Sequence, residues 1–292
     1  MKEQVVCIYH KNCTDGTTAA AVLLTKHPDC LLFPLDHNYS QEDLEQILKV
    51  IDKNTTVYIV DFSLKNDDTE KIIERAKEVI NIDHHIGVKD KLEKYTQKYP
   101  NFKFIFDNNR SGASLTWIYF YGDENIPDVI KYVEDKDIWT WKYGEITKYV
   151  NAYLAIFTNK PEEIKKYIEN PEKINELINN GKIIAEYTDY LIQNFVSRAK
   201  EVTLKIGKFN VKGYNTGLFQ SEIGNILSTE YKETVALFNI NGDYAKISFR
   251  SVEGAKPTAL DLATILGGGG HKHAAGASVD LETFCKKMVI IN

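Results

Sequence analysis

Short apolar runs alternate with polar, helix-forming segments along the first third of the chain. Residues 4–9, 30–35, 56–60 and 79–83 are apolar and rich in β-branched or aromatic side chains, which predicts buried strands. Residues 17–25, 41–51 and 66–76 lie between them and have the composition of helices. The order β-α-β-α-β-α-β with short connections predicts a doubly wound parallel sheet. A fifth strand is expected at 103–106, then a helical run ending at 121 and another helix over 127–133. Residues 161–200 read as helices, with Gly181 the main interruption after Pro171. From residue 202 the texture changes to short strands, at 203–206, 209–211, 234–240 and 245–250, followed by a helix at 259–266. Asn241-Gly242-Asp243 is a good hairpin turn between the last two strands. The expected fold class is α/β. A doubly wound domain spans 1–185, a helical linker 186–202, and a smaller α+β domain 203–292.

Three of the first four strands run directly into polar groups of one chemical kind. The first ends at His10, with Asp15 in the following loop, the third at Asp61, and the fourth at Asp83-His84-His85. A parallel sheet brings such ends to one edge, in the crevice where ligands bind. Carboxylate oxygen and imidazole nitrogen suit a first-row metal such as manganese better than calcium. Taken alone, residues 83–85 fit a surface turn with a satisfied histidine pair equally well. The coincidence at three strand ends favours a metal. Asp135 or Asp137, at the end of the helix over 127–133, is a candidate to complete the shell, and a solvated helix end is the alternative for either alone.

The second feature is Gly267-Gly268-Gly269-Gly270-His271-Lys272-His273-Ala274-Ala275-Gly276. A loop without Cβ atoms lets the backbone approach a ligand and turn N–H groups toward an anion. It is not the G-x-x-x-x-G-K-[ST] phosphate loop, because no Ser or Thr follows the lysine. Arg250, at the end of a strand in the same domain, is a candidate bidentate phosphate clamp.

Composition narrows the partners. Lys plus Arg is 36 and Asp plus Glu is 41 in 292 residues, a net charge of −5, which argues against a grip on long duplex nucleic acid. Cys7, Cys13, Cys30 and Cys285 form no C-x-x-C pair or framework, so reduced thiols in a cytoplasmic protein are expected. The N-terminus lacks the apolar stretch of a signal peptide. No run approaches the ~18 apolar residues of a membrane span. Tyr39, Trp139 and Trp141 are candidates to stack on a base, with core packing the commoner role for each.

In this order, His10 with Asp15-Gly16, Asp61, Asp83-His84-His85, a later Asp, Ser248-Phe249-Arg250-Ser251 and the run from Gly267 to Gly276 resemble the DHH phosphoesterases that carry a C-terminal DHH-associated domain. The family includes RecJ-like exonucleases, nano-RNases that also act on pAp, and cyclic dinucleotide phosphodiesterases. The resemblance implies a two-manganese site, with zinc, iron, cobalt and magnesium as alternative cations. His10, Asp15, Asp61 and His84 are the implied ligands, Asp61 bridging, with Asp135 as the last carboxylate and Asp137 the runner-up. Asp83 would support the cluster and His85 would meet substrate. Arg250, Gly268, Gly269, Gly270 and His271 would hold the substrate's phosphate end from across an interdomain cleft. One departure stands out: the usual H-x-x-x-D-x-D-G is one residue shorter here, with Cys13 replacing the first Asp. A thiolate at that position is either a softer metal ligand or no ligand at all. The expected activity is metal-dependent hydrolysis of short oligonucleotides or small nucleotide phosphoesters, with no membrane partner and a homodimer as a candidate assembly. A nucleotide-binding sensor or scaffold on a weakened site is the alternative, and exopolyphosphatase or pyrophosphatase activity a lesser one. His27 and His37 lie outside these motifs and receive no role.

Overall fold

The structure, a computed structural model, describes residues 4–65 and 67–290, and divides into two compact units, 1–186 and 187–292. The first unit contains β1 (Gln4–His10), α1 (Thr14–Lys26), β2 (Leu31–Leu35), α2 (Gln41–Val50), β3 (Thr55–Val60), α3 (Asp68–Arg75), β4 (Glu78–Asp83), α4 (Lys89–Lys98), β5 (Phe102–Phe106), α5 (Gly112–Tyr121), α6 (Asp128–Asp137), α7 (Glu145–Leu154) and α8 (Pro161–Glu169). A long helix, α9 (Ile174–Val196), follows. The expected start of the third helix at Asn66 lies outside the described residues.

The five strands of this unit are all parallel, in the order β2-β1-β3-β4-β5. Side-chain alternation explains why they read as unbroken apolar runs. Cys7, Tyr9, Tyr58, Val60, Ile80 and Ile82 face one core layer. Val6, Ile8, Val57, Ile59 and Val79 face the other. Both faces are covered, so both phases of each strand are apolar. Each fully buried Val or Ile contributes roughly 1.5–3 kcal/mol. Asn81 is a buried polar residue within β4, and its side-chain amide donates to the carbonyls of Ile59 (3.1 Å) and Phe62 (3.0 Å) at the edge where β3 ends.

The chain leaves β1 toward β2 on one side and returns to β3 on the other. The switch point of the sheet therefore lies between the carboxyl ends of β1 and β3, at His10 and Asp61.

The second unit contains β6 (Val202–Ile206), β7 (Phe209–Asn215), α10 (Gln220–Tyr231), β8 (Val235–Asn241), β9 (Tyr244–Arg250), α11 (Ala259–Ile265), β10 (Gly269–His271), β11 (Ala274–Asp280) and β12 (Val289–Ile290). They form one sheet in the order β10-β11-β9-β8-β7-β6-β12, in which β7 and β8 are parallel and the other pairs antiparallel. The parallel pair needs a crossover, and α10 supplies it. The end of α9 belongs to this unit: Ile192 and Phe195 pack with Tyr214, Ile223 and Leu237. The glycine run differs from the loop expected of it, since Gly269 and Gly270 are ladder residues of a hairpin. Among the described residues, no helix is long and apolar enough to cross a membrane.

Candidate metal centre

Four segments meet at the carboxyl edge of the parallel sheet. β1 delivers His10, the start of α1 delivers Cys13 and Asp15, β3 delivers Asp61, and β4 delivers Asp83, His84 and His85. Asp61 sits one residue beyond β3 with φ +51°, a left-handed conformation that turns the chain sharply off the sheet. Asp is among the few residues that adopt it at low cost. Its N–H still donates to the Ile82 carbonyl at 2.9 Å, so the turn stays registered on β4.

Asp61 is the centre of the site. It is 1% exposed, and among the described residues neither carboxylate oxygen has a hydrogen-bond donor. Oδ2 lies 3.6 Å from His10 Nδ1, and Oδ1 lies 3.2 Å from His84 Nε2, without hydrogen-bond alignment. Burial alone would raise its pKa, but the two imidazoles outweigh burial and hold the carboxyl below the usual range. His84 also approaches Asp137 Oδ2 at 3.4 Å. Ligand atoms of three triads each lie within 4.8 Å of one another: His10, Cys13 and Asp61; Asp61, His84 and His85; Asp15, His84 and Asp137.

The remaining carboxylates differ in what already satisfies them. Asp15 is received by the N-terminus of α5, where the N–H groups of Gly112 and Ala113 donate to Oδ2 (2.6 Å) and Oδ1 (3.1 Å). Burial and the neighbouring Asp61 and Asp137 nonetheless push its pKa well above normal. Burial and Asp61 likewise raise Asp137, to about 6. Burial and three carboxylates raise the Cys13 thiol. Carboxylates crowded in this way repel one another, and a divalent cation is the natural relief. The orphaned oxygens of Asp61 and the mixed O, N and S donors fit such an ion.

Asp83 does different work. Its Oδ1 accepts from the His84 N–H (2.7 Å) and the His85 N–H (3.0 Å) and pairs with His85 Nδ1 (2.7 Å); Oδ2 accepts from Ser63 Oγ (2.6 Å). With both oxygens occupied, it orients the two histidines. Burial would lower His85's pKa, but Asp83 more than compensates and raises it.

One expected ligand requires correction. Asp135 is 3% exposed, but its oxygens serve the loop that follows α6. Oδ1 accepts from Thr140 Oγ1 (2.5 Å) and the Lys142 N–H (2.7 Å), and Oδ2 from the Tyr143 N–H (3.0 Å) and Thr147 Oγ1. Asp137 is the carboxylate that joins the cluster. Two residues along a helix are about 200° apart around its axis, so only one can face the sheet edge. Accordingly, Asp137→Asn should weaken cation affinity while leaving the cation-free melting temperature nearly unchanged. Asp135→Asn should show the reverse. Calorimetric titration and thermal denaturation on both variants check this, and the opposite pattern would return the ligand role to Asp135.

His37 went unassigned in the sequence, yet its ring centroid lies 5.0 Å from that of His10 and stacks on Phe62 at 5.4 Å. Burial and the nearby His10 and His85 lower its pKa. Its signal was positional: β2 pairs with β1 in parallel, Leu35 beside His10, so His37 falls just past the same edge. Of the aromatic candidates, Tyr39 is a core residue whose hydroxyl donates to Asp68 Oδ2 at 2.6 Å. Trp139 and Trp141 pack edge to face at 5.1 Å.

In the second unit, Arg250 lies on β9 opposite Ala274 of β11. Its guanidinium donates to Ser221 Oγ and the Phe249 carbonyl, both at 2.8 Å. Gly268 is glycine for a packing reason: a Cβ there would stand 2.1 Å from the Gly276 carbonyl oxygen. Beside Gly269, by contrast, a Cβ would meet open space, and His271 is exposed. Lys272 and His273 are both engaged by Glu253, at 2.9 and 3.0 Å.

Fold and site thus define a two-unit α/β protein with a cluster of metal-type donors at the switch point of its parallel sheet. Residues 202–289 match the DHHA1 domain family. With the parallel-sheet domain that precedes it, the chain resembles the DHH phosphoesterases that carry a C-terminal DHHA1 domain. It is 27% identical to the uncharacterized protein R106 of Acanthamoeba polyphaga mimivirus, over 94% of this chain and 68% of that protein. Solved structures that share the fold include RecJ and a phosphodiesterase. RecJ from Thermus thermophilus, in complex with Mn2+, aligns with a TM-score of 0.55 and 13% identity over 97% of this chain and 51% of RecJ. The pGpG-specific phosphodiesterase PggH from Vibrio cholerae aligns with a TM-score of 0.53 and 14% identity over 96% of this chain and 94% of PggH.

Proposed function

We propose that this protein is a divalent-cation-dependent phosphoesterase acting on short oligonucleotides or small nucleotide phosphoesters. The observation that carries the reading is Asp61, a buried carboxylate with no hydrogen-bond donor and an imidazole beside each oxygen. His10, Asp15, Asp61, His84 and Asp137 would hold two cations, manganese being the first to test because RecJ of the same fold is solved with it. Divalent cations in such a site supply Lewis acidity toward phosphoryl oxygens and lower the pKa of a water nucleophile. The chain's own groups do the rest. Asp83 fixes the His85 ring through Nδ1, so that Nε2 is the atom that meets the substrate's phosphoryl or leaving oxygen. Arg250 has five N–H donors, and those not given to Ser221 and Phe249 suit a phosphate oxygen. The exposed Gly269 to His271 segment is its natural companion in holding that end of the substrate. The net charge of −5 favours a small ligand over a long polyanion.

The test is hydrolysis of an RNA dinucleotide, linear and cyclic diadenylate, pAp and pyrophosphate with added manganese. We expect turnover of at least one nucleotide substrate, abolished by a chelator. Arg250→Ala should raise KM roughly 10–100-fold, as loss of a charged hydrogen bond does, with a smaller effect on kcat. Tight nucleotide binding without any turnover would instead establish a sensor. Turnover of pyrophosphate alone would move the substrate class away from nucleotides.

A further inference from the structure

The donors at the sheet edge are not of one kind, and they divide around Asp61. On one side its Oδ2 faces His10, and the triad completed by Cys13 offers nitrogen, sulfur and oxygen within 4.8 Å. On the other side its Oδ1 faces His84. The neighbouring triad of Asp15, His84 and Asp137 offers two carboxylates and one imidazole within the same distance. Sulfur is a soft donor that selects zinc or ferrous iron, whereas carboxylate suits manganese and magnesium.

Cys13 is held in place rather than carried on a loose loop. It is the residue just before α1, in extended conformation (φ −114°, ψ 133°), and its carbonyl accepts from the N–H of Thr17 (3.0 Å) and from Thr17 Oγ1 (2.7 Å). The preceding residue, Asn12, is clamped by Asn159, with bonds of 2.8 and 2.6 Å running in both directions. The thiol is not part of a disulfide. A cysteine alone would indicate nothing. Here the independent sign of a ligand is the Asp61 carboxylate, 1% exposed, without a donor on either oxygen, and within 4.8 Å of the sulfur.

We infer that the two cation positions are chemically unequal: the His10–Cys13–Asp61 position takes a thiophilic ion of the zinc or ferrous class, and the Asp15–His84–Asp137 position takes a hard ion such as manganese, with Asp61 serving both. This rests on the reading that the cluster binds two cations. As the metal–sulfur bond forms, the thiol proton passes to solvent and the sulfur binds as thiolate.

Two measurements on the full-length chain test it, neither of them an activity. The wild type, Cys13→Ser and Cys13→Asp are stripped with chelator, dialysed against a large molar excess of manganese over zinc that offsets zinc's generally higher affinity, freed of excess, and analysed for metal content. Wild type should retain one zinc and one manganese per chain. Cys13→Asp should exchange the zinc for manganese. Cys13→Ser, nearly isosteric, should keep its manganese while losing zinc, which also shows that the variant is folded. Titration of the stripped wild type with cobalt(II), which substitutes for zinc and absorbs light, should give a sulfur-to-metal charge-transfer band in the near ultraviolet that both variants lack. Two ions of one metal in wild type, or no charge-transfer band, would overturn the inference and leave the two-cation site standing. Retention of no cation by any of the three proteins would overturn both.

Discussion

Asp61→Asn should abolish cation-dependent turnover and, with it, stabilisation of the protein by manganese. The substitution is chosen for its backbone. Asp61 has φ +51°, and Asn tolerates that region as well as Asp does, whereas Ala would add strain. Asn also keeps the side-chain shape and removes only the charge. Both oxygens of Asp61 are buried without donors, and each faces a different histidine, so no other residue can stand in for it. The loss of activity should exceed the roughly 10–100-fold that follows loss of a group merely supporting a metal ligand. A cation at a hundred times its Kd stabilises the folded state by about 2.7 kcal/mol. For a unit of this size that is a rise in Tm of roughly 5–10 °C in wild type. In Asp61→Asn the rise should be close to zero. Wild-type turnover in this variant would eliminate the two-cation site.

Gly112→Ala should damage the same site from the opposite side. Gly112 opens α5 and donates its N–H to Asp15 at 2.6 Å. A Cβ at this position would lie 2.5 Å from Asp61 Cβ, 3.0 Å from Asp61 Cα and 2.9 Å from Asp15 Oδ2. Two of those atoms are fixed by the backbone turn after β3, so either the helix start or the turn must move. Overpacking of this kind typically costs about 1–3 kcal/mol. That corresponds to a fall in Tm of roughly 2–12 °C for a unit of 150–250 residues. Cation affinity should fall as well, because the shift separates Asp15 from Asp61. Gly87→Ala is the control: nothing lies within 4 Å of its added Cβ, so its effect should stay within about 0.5 kcal/mol. Equal melting of Gly112→Ala and wild type, with full manganese affinity, would show that the turn can relax.

The parts of the molecule that were legible in the sequence are those governed by local pattern. Strands buried on both faces leave continuous apolar runs, and a polar residue that ends such a run marks the sheet edge. His10, Asp61 and the Asp83-His84-His85 segment could be found in this way. What could not be read depends on which way a residue faces, or on contact between distant segments. Asp135 and Asp137 sit at one helix end with the same composition around them, and only the orientation of α6 separates hub from cluster member. Gly112 looks like an ordinary helix start until Asp61 and Asp15 are known to press against it. The run from Gly267 reads as a ligand loop because absence of Cβ signals close approach. The close approach at Gly268 is to β11 of the same hairpin. The crossover helix α10 went unread, although a parallel β7–β8 pair requires one.

The donor set at the sheet edge begins at His10 and is complete only with Asp137. No shorter stretch of chain carries it. During synthesis, the nascent polypeptide therefore presents isolated carboxylates and imidazoles until α6 has emerged and docked, and a cation meeting the growing chain finds no pocket to hold it. Loading of the proposed cations would then be a late event in the life of the molecule. The finished fold, with all its donors in place, would select the ions from those the cell offers.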